Sequence, residues 1–244
     1  MERFLKLISE TLYTLPIMVL LQLVVVIASL KNRKRFSELR YFHFYPIAGL
    51  IQTITFITSA IYVENRIKFK VIESSINIFT ILEVILIYHL GFQIIKVRKL
   101  RNVLIFFLFS FFLYALLTWG FTNAFLINSS RMFPIESLVV LIPTCFYFFQ
   151  LFKLPPTFNL FNQPAFWINI GILFAFSCTL PLSTLEFFNK KFIDSNFYFY
   201  YINFISYSFL YLSIAKGYCC RKKSSYEFDT EVSLERNLWK IQRP

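Results

Sequence analysis

The sequence predicts an all-α membrane protein: a seven-transmembrane-helix bundle with its N-terminus outside the cytoplasm and its C-terminus inside. Three observations predict it. Seven long apolar stretches, separated by short polar loops, take up nearly all of the 244 residues. The composition is 57% hydrophobic and 20% aromatic but only 16% charged, where a soluble domain carries about 25% charged residues. Finally, positive charge gathers on alternate loops.

A hydrocarbon core of about 30 Å takes about 20 apolar residues per helix. That spacing places spans at 11–30, 43–63, 72–95, 102–121, 133–152, 165–185 and 197–216, followed by a short cytoplasmic tail at 217–244. The first span is no cleavable signal peptide. Its apolar run exceeds the roughly 7–15 residues of such a segment, no small-residue cleavage site follows, and Lys31–Arg35 forms a stop-transfer flank.

Polar side chains inside hydrocarbon should face other helices, and several spans align theirs at helical spacing. The second has Gln52, Thr55, Ser59 and Tyr62. The third has Glu73, Asn77, Thr80 and Tyr88 on one broad face, with Glu83 at its edge. The fifth has Glu136, Tyr147 and Gln150, interrupted by Pro143. The sixth offers Asn169 and a seam of small residues, Gly171, Ala175 and Cys178, suited to close backbone approach. The seventh carries Tyr200, Asn203, Tyr207 and Tyr211 in one stripe. With 33 Phe and only 5 Gly, the lipid face is aromatic, and close contacts fall mostly to Ala, Ser, Thr and Cys. Trp119, Trp167 and Phe197–Tyr201 fit interfacial belts. Pro16, Pro46, Pro143 and Pro181 fall within spans, where kinks are expected. The 153–164 connection, with Pro155, Pro156 and Pro164, is irregular. The tail from Ser224 mixes both charges and is expected to be disordered or a docking helix.

Orientation follows from the loops. Lys31, Arg33, Lys34, Arg35 and Arg40, then Lys96, Arg98, Lys99 and Arg101, then Arg221, Lys222 and Lys223 share one face of a seven-span chain. On that face 17 Lys and Arg stand against 5 acids, and on the other 8 against 7. The positive-inside rule makes the first face cytoplasmic. The net charge of +12 is therefore a topology signal and not a sign of nucleic-acid binding. Arg66, Lys68 and Lys70, in a 64–70 loop, fall on the outer side against this trend. No cysteine lies in an outer loop, so no disulfide framework is expected. Cys219–Cys220 beside Arg221 matches a palmitoylation site in a eukaryote, though two small apolar residues at a helix end are the plainer reading. Asn128-Ser129-Ser130 is a sequon, meaningful only on a secretory route.

Glu83 is the sharpest residue. A charged carboxylate at mid-membrane costs about 2.5–3.5 kcal/mol on insertion scales, so a neutral acid that donates a hydrogen bond is expected. It serves either as a proton- or ligand-coupled switch or as interhelical glue. The ligand or proton-switch candidates are Glu83, Asn77, Thr80, Gln52, Asn203, Tyr207 and Glu136. Glu64, Glu73, Glu136 and Glu186 fall near outer helix ends, as the rim of a cation-attracting vestibule or as acids favoured by the helix dipole. His43 and His89 lie toward cytoplasmic ends and read as interfacial residues; no metal site and no cofactor is expected.

Familiar seven-helix identities fail. A retinal protein needs a lysine midway along the last helix, whereas Lys216 sits at its end. A rhodopsin-like receptor needs an acid-Arg-aromatic triplet and Asn-Pro-x-x-Tyr, where this chain reads KVRKLR and YINFISYSFLY. No HExxH, Gly-x-Ser-x-Gly or phosphate loop occurs, no nucleophile–base pair can be named, and an enzyme is not expected. Nor do paired broken helices of the transporter kind occur.

The stretches NIFTILEVILIY (Asn77, Glu83, Tyr88), PIESLVVLIP (Glu136) and PAFWINIGILFAFSCTL (Pro164, Phe166, Trp167, Gly171) resemble a group of small bacterial seven-helix inner-membrane proteins. The motifs are short and the group largely uncharacterised. The chain departs at Phe174-Ala175-Phe176, where a Tyr is expected. The resemblance implies a bacterial inner membrane and company with signalling proteins, and it supplies no activity. Three functions stay open. One is a sensory module acting on a separate cytoplasmic partner. Another is a small-solute or ion transporter that uses Glu83, and a structural subunit of a membrane complex is the plainer third. The partners expected are the lipid bilayer and a cytoplasmic signalling protein or complex subunits, with no nucleic acid.

Overall fold

The computed structural model describes residues 14–33, 36, 39–62, 65–122, 132–152, 160–188 and 198–220, leaving aside the side chains of 60–62, 65–70, 73, 119–122 and 198–200. Seven α-helices make up this part: α1 Thr14–Asn32, α2 Phe44–Tyr62, α3 Asn65–Ile94, α4 Arg98–Thr122, α5 Phe133–Leu151, α6 Pro164–Phe188 and α7 Tyr198–Cys219. A single 3-10 turn, Leu160–Asn162, precedes α6. Among the described residues five helices are long and apolar enough to cross a membrane: α1, the 98–118 part of α4, α5, α6 and the 74–94 part of α3. The apolar part of α2 is shorter, Phe44–Ser59, and α7 is diluted by its tyrosines.

The helices run alternately up and down. Six of them close a ring in the order α1–α2–α3–α5–α6–α7, and α4 lies outside it against α3 and α5. The pattern within α4 explains its place. Leu104, Phe111 and Ala115 are buried along one face, with Leu100, Phe107 and Leu108 packed beside them. Phe106 (65% exposed), Phe109 (67%) and Leu116 (66%) point away. A similar split holds in α1, where Gln22, Val25 and Ser29 are buried at i, i+3 and i+7 and Leu20, Val24 and Ile27 are exposed. Apolar faces of this extent are unsuited to water. They are what lipid covers, and the chain is an integral membrane protein by this criterion and by helix length.

The tightest seam joins α6 and α7. A Cβ added at Gly171 would sit 2.7 Å from Ser213 Cβ and 3.2 Å from Leu210 Cα, so only glycine lets the backbones approach this closely. The small-residue seam continues through buried Ala175, while Cys178 is half-buried. Both Pro143 and Pro181 lie inside their helices, which run on through them.

Two expectations about helix ends are corrected. The 64–70 segment, read as a loop, is helical from Asn65. Hydropathy marks where a helix leaves hydrocarbon, but charged residues are good helix formers and carry the helix beyond it. For the same reason the 96–101 loop shrinks to Ile95–Val97, because α4 already starts at Arg98. The sequon, Glu64, Pro155, Pro156 and the tail from Arg221 lie outside the described residues, as do the side chains of Tyr62, Glu73, Trp119 and Tyr200.

Candidate functional site

Glu83 stands at the middle of the apolar 74–94 stretch of α3. Glu136 belongs to the first turn of α5. They meet because α5 begins deep beside α3: the Thr80 hydroxyl donates to Glu136 Oε2 at 3.1 Å, and the Tyr88 hydroxyl to the Val139 carbonyl at 3.1 Å. Both carboxyls are buried, Glu83 at 2% and Glu136 at 3% exposure, and they lie within hydrogen-bonding reach of each other. From α2, the Tyr45 hydroxyl donates to Glu83 Oε1.

This arrangement limits the charge the pair can carry. Ionised carboxylates only accept hydrogen bonds, so a hydrogen bond between the two groups requires one of them to hold a proton. Like charges in contact within a low dielectric oppose double ionisation as well. Glu136 Oε1 is buried with no protein donor. Its donor is therefore the proton of the pair or a group arriving from outside.

Toward the other side of the ring interior, Gln22 Nε2 of α1 donates to the Tyr211 hydroxyl of α7 at 3.0 Å. The Tyr211 ring lies 6.4 Å from the Tyr45 ring, and a Cβ at Gly49 would land on the Tyr211 hydroxyl. Side chains from α1, α2, α3, α5 and α7 thus form one polar patch inside an apolar bundle.

Above the pair lies a cavity of about 160 Å³, lined by Phe133, Glu136 and Ser137 of α5, Thr179, Leu182, Ser183 and Glu186 of α6, and Asn203 and Tyr207 of α7. It opens where α6 ends and α7 begins. At the opposite end, large buried side chains fill the interior: Leu39, Phe42, Tyr88, Ile95 and Tyr218 are all at most 2% exposed. That closed end also carries the described basic residues Lys31, Arg33, Arg40, Lys96, Arg98, Lys99, Arg101 and Lys216. Among the described residues the cavity lies toward the end away from these basic side chains.

The sequence-predicted residues fall into three groups. Glu83, Glu136 and Thr80 form the carboxyl site, with Asn77 fully buried one turn before Thr80. Tyr207 and Asn203 line the cavity; Asn203 is exposed at its mouth, not inside the stripe expected of the seventh span. Gln52 is only half-buried, and Thr55 turns back to bond its own helix at the Ile51 carbonyl. Glu136, expected at an outer rim, is instead buried. Of the four vestibule acids, Glu136 and Glu186 share the cavity. Sequence reasoning missed Tyr45 and Gln22. Gln22 could have been found as the one amide within the apolar run of α1; Tyr45, among several aromatic residues, gave no such signal.

Other polar residues have local partners. His43 Nδ1 donates to the Arg40 carbonyl at 2.7 Å, and the His89 ring meets Tyr41 edge-on at 5.3 Å. Trp167 Nε1 donates to the Phe161 carbonyl at 2.8 Å, with the Lys216 ammonium 5.7 Å from its ring centre. Cys219 is exposed, whereas Cys220 is buried with its thiol toward the Lys216 carbonyl. Among the described residues no group of three or more His, Cys, Asp or Glu could hold a metal.

Fold and site together define a class: an integral membrane helical bundle with two buried carboxyl groups beside a cavity. Compared with protein-family models, curated proteins and solved structures, the chain matches none, so function is argued from geometry alone.

Proposed function

We propose that the chain is a seven-crossing sensory module of a bacterial inner membrane, with its N-terminus outside and its basic end in the cytoplasm. A small ligand enters the outer cavity and changes the proton held between Glu83 and Glu136. The change passes along α3, α5 and α7 to a separate cytoplasmic signalling partner at the basic end. The cavity beside the carboxyl pair carries this reading, since a ligand held there lies against Glu136. The proton-sharing pair supplies an element with two states, joined and parted, which a switch requires.

A proton-coupled transporter is the second reading, favoured by Tyr45, which extends the polar contacts from Glu83 to α2. The test has two arms. Native membranes are solubilised in mild detergent and co-purifying proteins identified with the full chain and with a chain ending at Ser224. In parallel, the protein in proteoliposomes is assayed for pH-driven solute uptake. A sensory module recovers a cytoplasmic partner that is lost on truncation, and it shows no uptake. Uptake that vanishes in Glu83→Gln would replace the sensory reading with the transporter.

A further inference from the structure

We infer that the cavity takes a small organic cation, such as a primary alkylammonium, and that the cation displaces the proton shared by Glu83 and Glu136. This deepens the reading above and rests on its placement of the cavity as the ligand site.

The lining has the chemistry for it. Glu136, Glu186, Ser137, Thr179, Ser183, Asn203 and Tyr207 supply carboxyl, hydroxyl and amide oxygens that accept hydrogen bonds, and no lysine or arginine stands among them. The described side chains of Lys and Arg all belong to the opposite, basic end. Glu136 lines this space, and its buried Oε1 has no protein donor. An ammonium group brings up to three N–H donors and one positive charge to the Glu136 carboxyl. The volume, about 160 Å³, exceeds that of a single water, roughly 30 Å³ in the liquid. Phe133 and Leu182 in the lining give an alkyl chain apolar contact.

Displacement follows from charge. The described titratable groups around the two carboxyls are Tyr45 of α2, Tyr88 of α3, Glu186 of α6, and Tyr207 and Tyr211 of α7. On its outer flank α5 meets α4, whose described titratable residues are Tyr114 and, at the basic end, Arg98, Lys99 and Arg101. Among the described side chains no Lys or Arg sits against the pair, and on this proposal one proton neutralises it. A bound ammonium takes over that duty, and cation and proton compete. When binding releases one proton, apparent affinity rises about tenfold per pH unit while the empty pair stays protonated.

The test uses the full chain in lipid nanodiscs. Ammonium, methylammonium, propylammonium and potassium are titrated by calorimetry in two buffers of different ionisation heat, with 1-propanol as the neutral match. The expected result is saturable alkylammonium binding, release of about one proton per cation, affinity that strengthens with pH, and at least tenfold weaker binding of 1-propanol. Glu136→Gln should weaken alkylammonium binding at least tenfold. Thermal melting reports whether that variant folds, and Asn203→Ala at the exposed mouth, expected to weaken binding a few-fold, serves if it does not. Absence of binding by any alkylammonium, equal binding of 1-propanol, preference for potassium, or binding without proton release would each overturn the inference. Cation binding with no partner recovered would leave it standing and remove the sensory reading, so the two failures are distinct.

Discussion

At the scale of single residues, the bundle is specified by a few polar atoms that apolar surroundings leave no alternative partners. The Tyr211–Gln22 bond at 3.0 Å is buried, and interhelical bonds of this kind contribute about 0.6 kcal/mol on average and up to about 1.7 in a membrane. Tyr211→Phe should therefore destabilise the protein by roughly 0.5–2 kcal/mol in detergent unfolding. A cycle with Gln22→Leu should show that the two effects do not add; independent effects would mean the bond does no work. The carboxyl pair makes a spectroscopic prediction. The wild-type infrared spectrum should contain a carbonyl band of a protonated carboxyl, and Glu83→Gln should change or remove it. Glu83 was legible in the sequence because an acid at the centre of an apolar run needs a partner or a proton, whether as switch or as glue. Its partner was not, because Glu136 reads as an ordinary first-turn acid until α5 is seen to start at the depth of Thr80.

At the scale of elements, the contrast between α4 and α6 is the sharpest. Helix α4 lies outside the ring and has a lipid face, whereas α6 is inserted between α5 and α7. A tryptophan at Phe109 should be quenched by lipids brominated on their acyl chains, and one at Phe111 should not, since Phe109 is 67% exposed and Phe111 1%. At the α6–α7 seam, Gly171→Ala places a methyl 2.7 Å from Ser213 Cβ and should cost about 1–3 kcal/mol by overpacking. Thermal melting of that variant beside Ser177→Ala, at an exposed position of the same helix, isolates the steric effect. Helix existence was legible throughout, since a 19-residue apolar run such as Phe133–Leu151 reports directly on bilayer thickness. Helix ends were not. Nothing in Arg66, Lys68 or Lys70 distinguishes a loop from a helix that continues into the polar layer. Ring order was equally hidden, because hydropathy does not reveal which of two apolar faces meets protein and which meets lipid.

At the scale of the whole molecule, the bundle has two unlike ends. One holds the cavity, with Glu186 and Asn203 among its lining; the other gathers the described basic side chains and is packed shut by Leu39, Phe42, Ile95 and Tyr218. The charge distribution of the sequence foreshadowed this asymmetry, but the cavity itself needed the meeting of α5, α6 and α7, whose lining residues are distant in the chain. A membrane-impermeant thiol reagent applied to intact cells tests the arrangement directly, with single cysteines at position 203 or 219 in an otherwise cysteine-free chain. Asn203→Cys should react from outside, and propylammonium should slow that reaction, while Cys219 should react only after the cells are opened. Labelling of Cys219 in intact cells, with position 203 protected until lysis, would contradict an outward-facing cavity and with it the sensory function built on it.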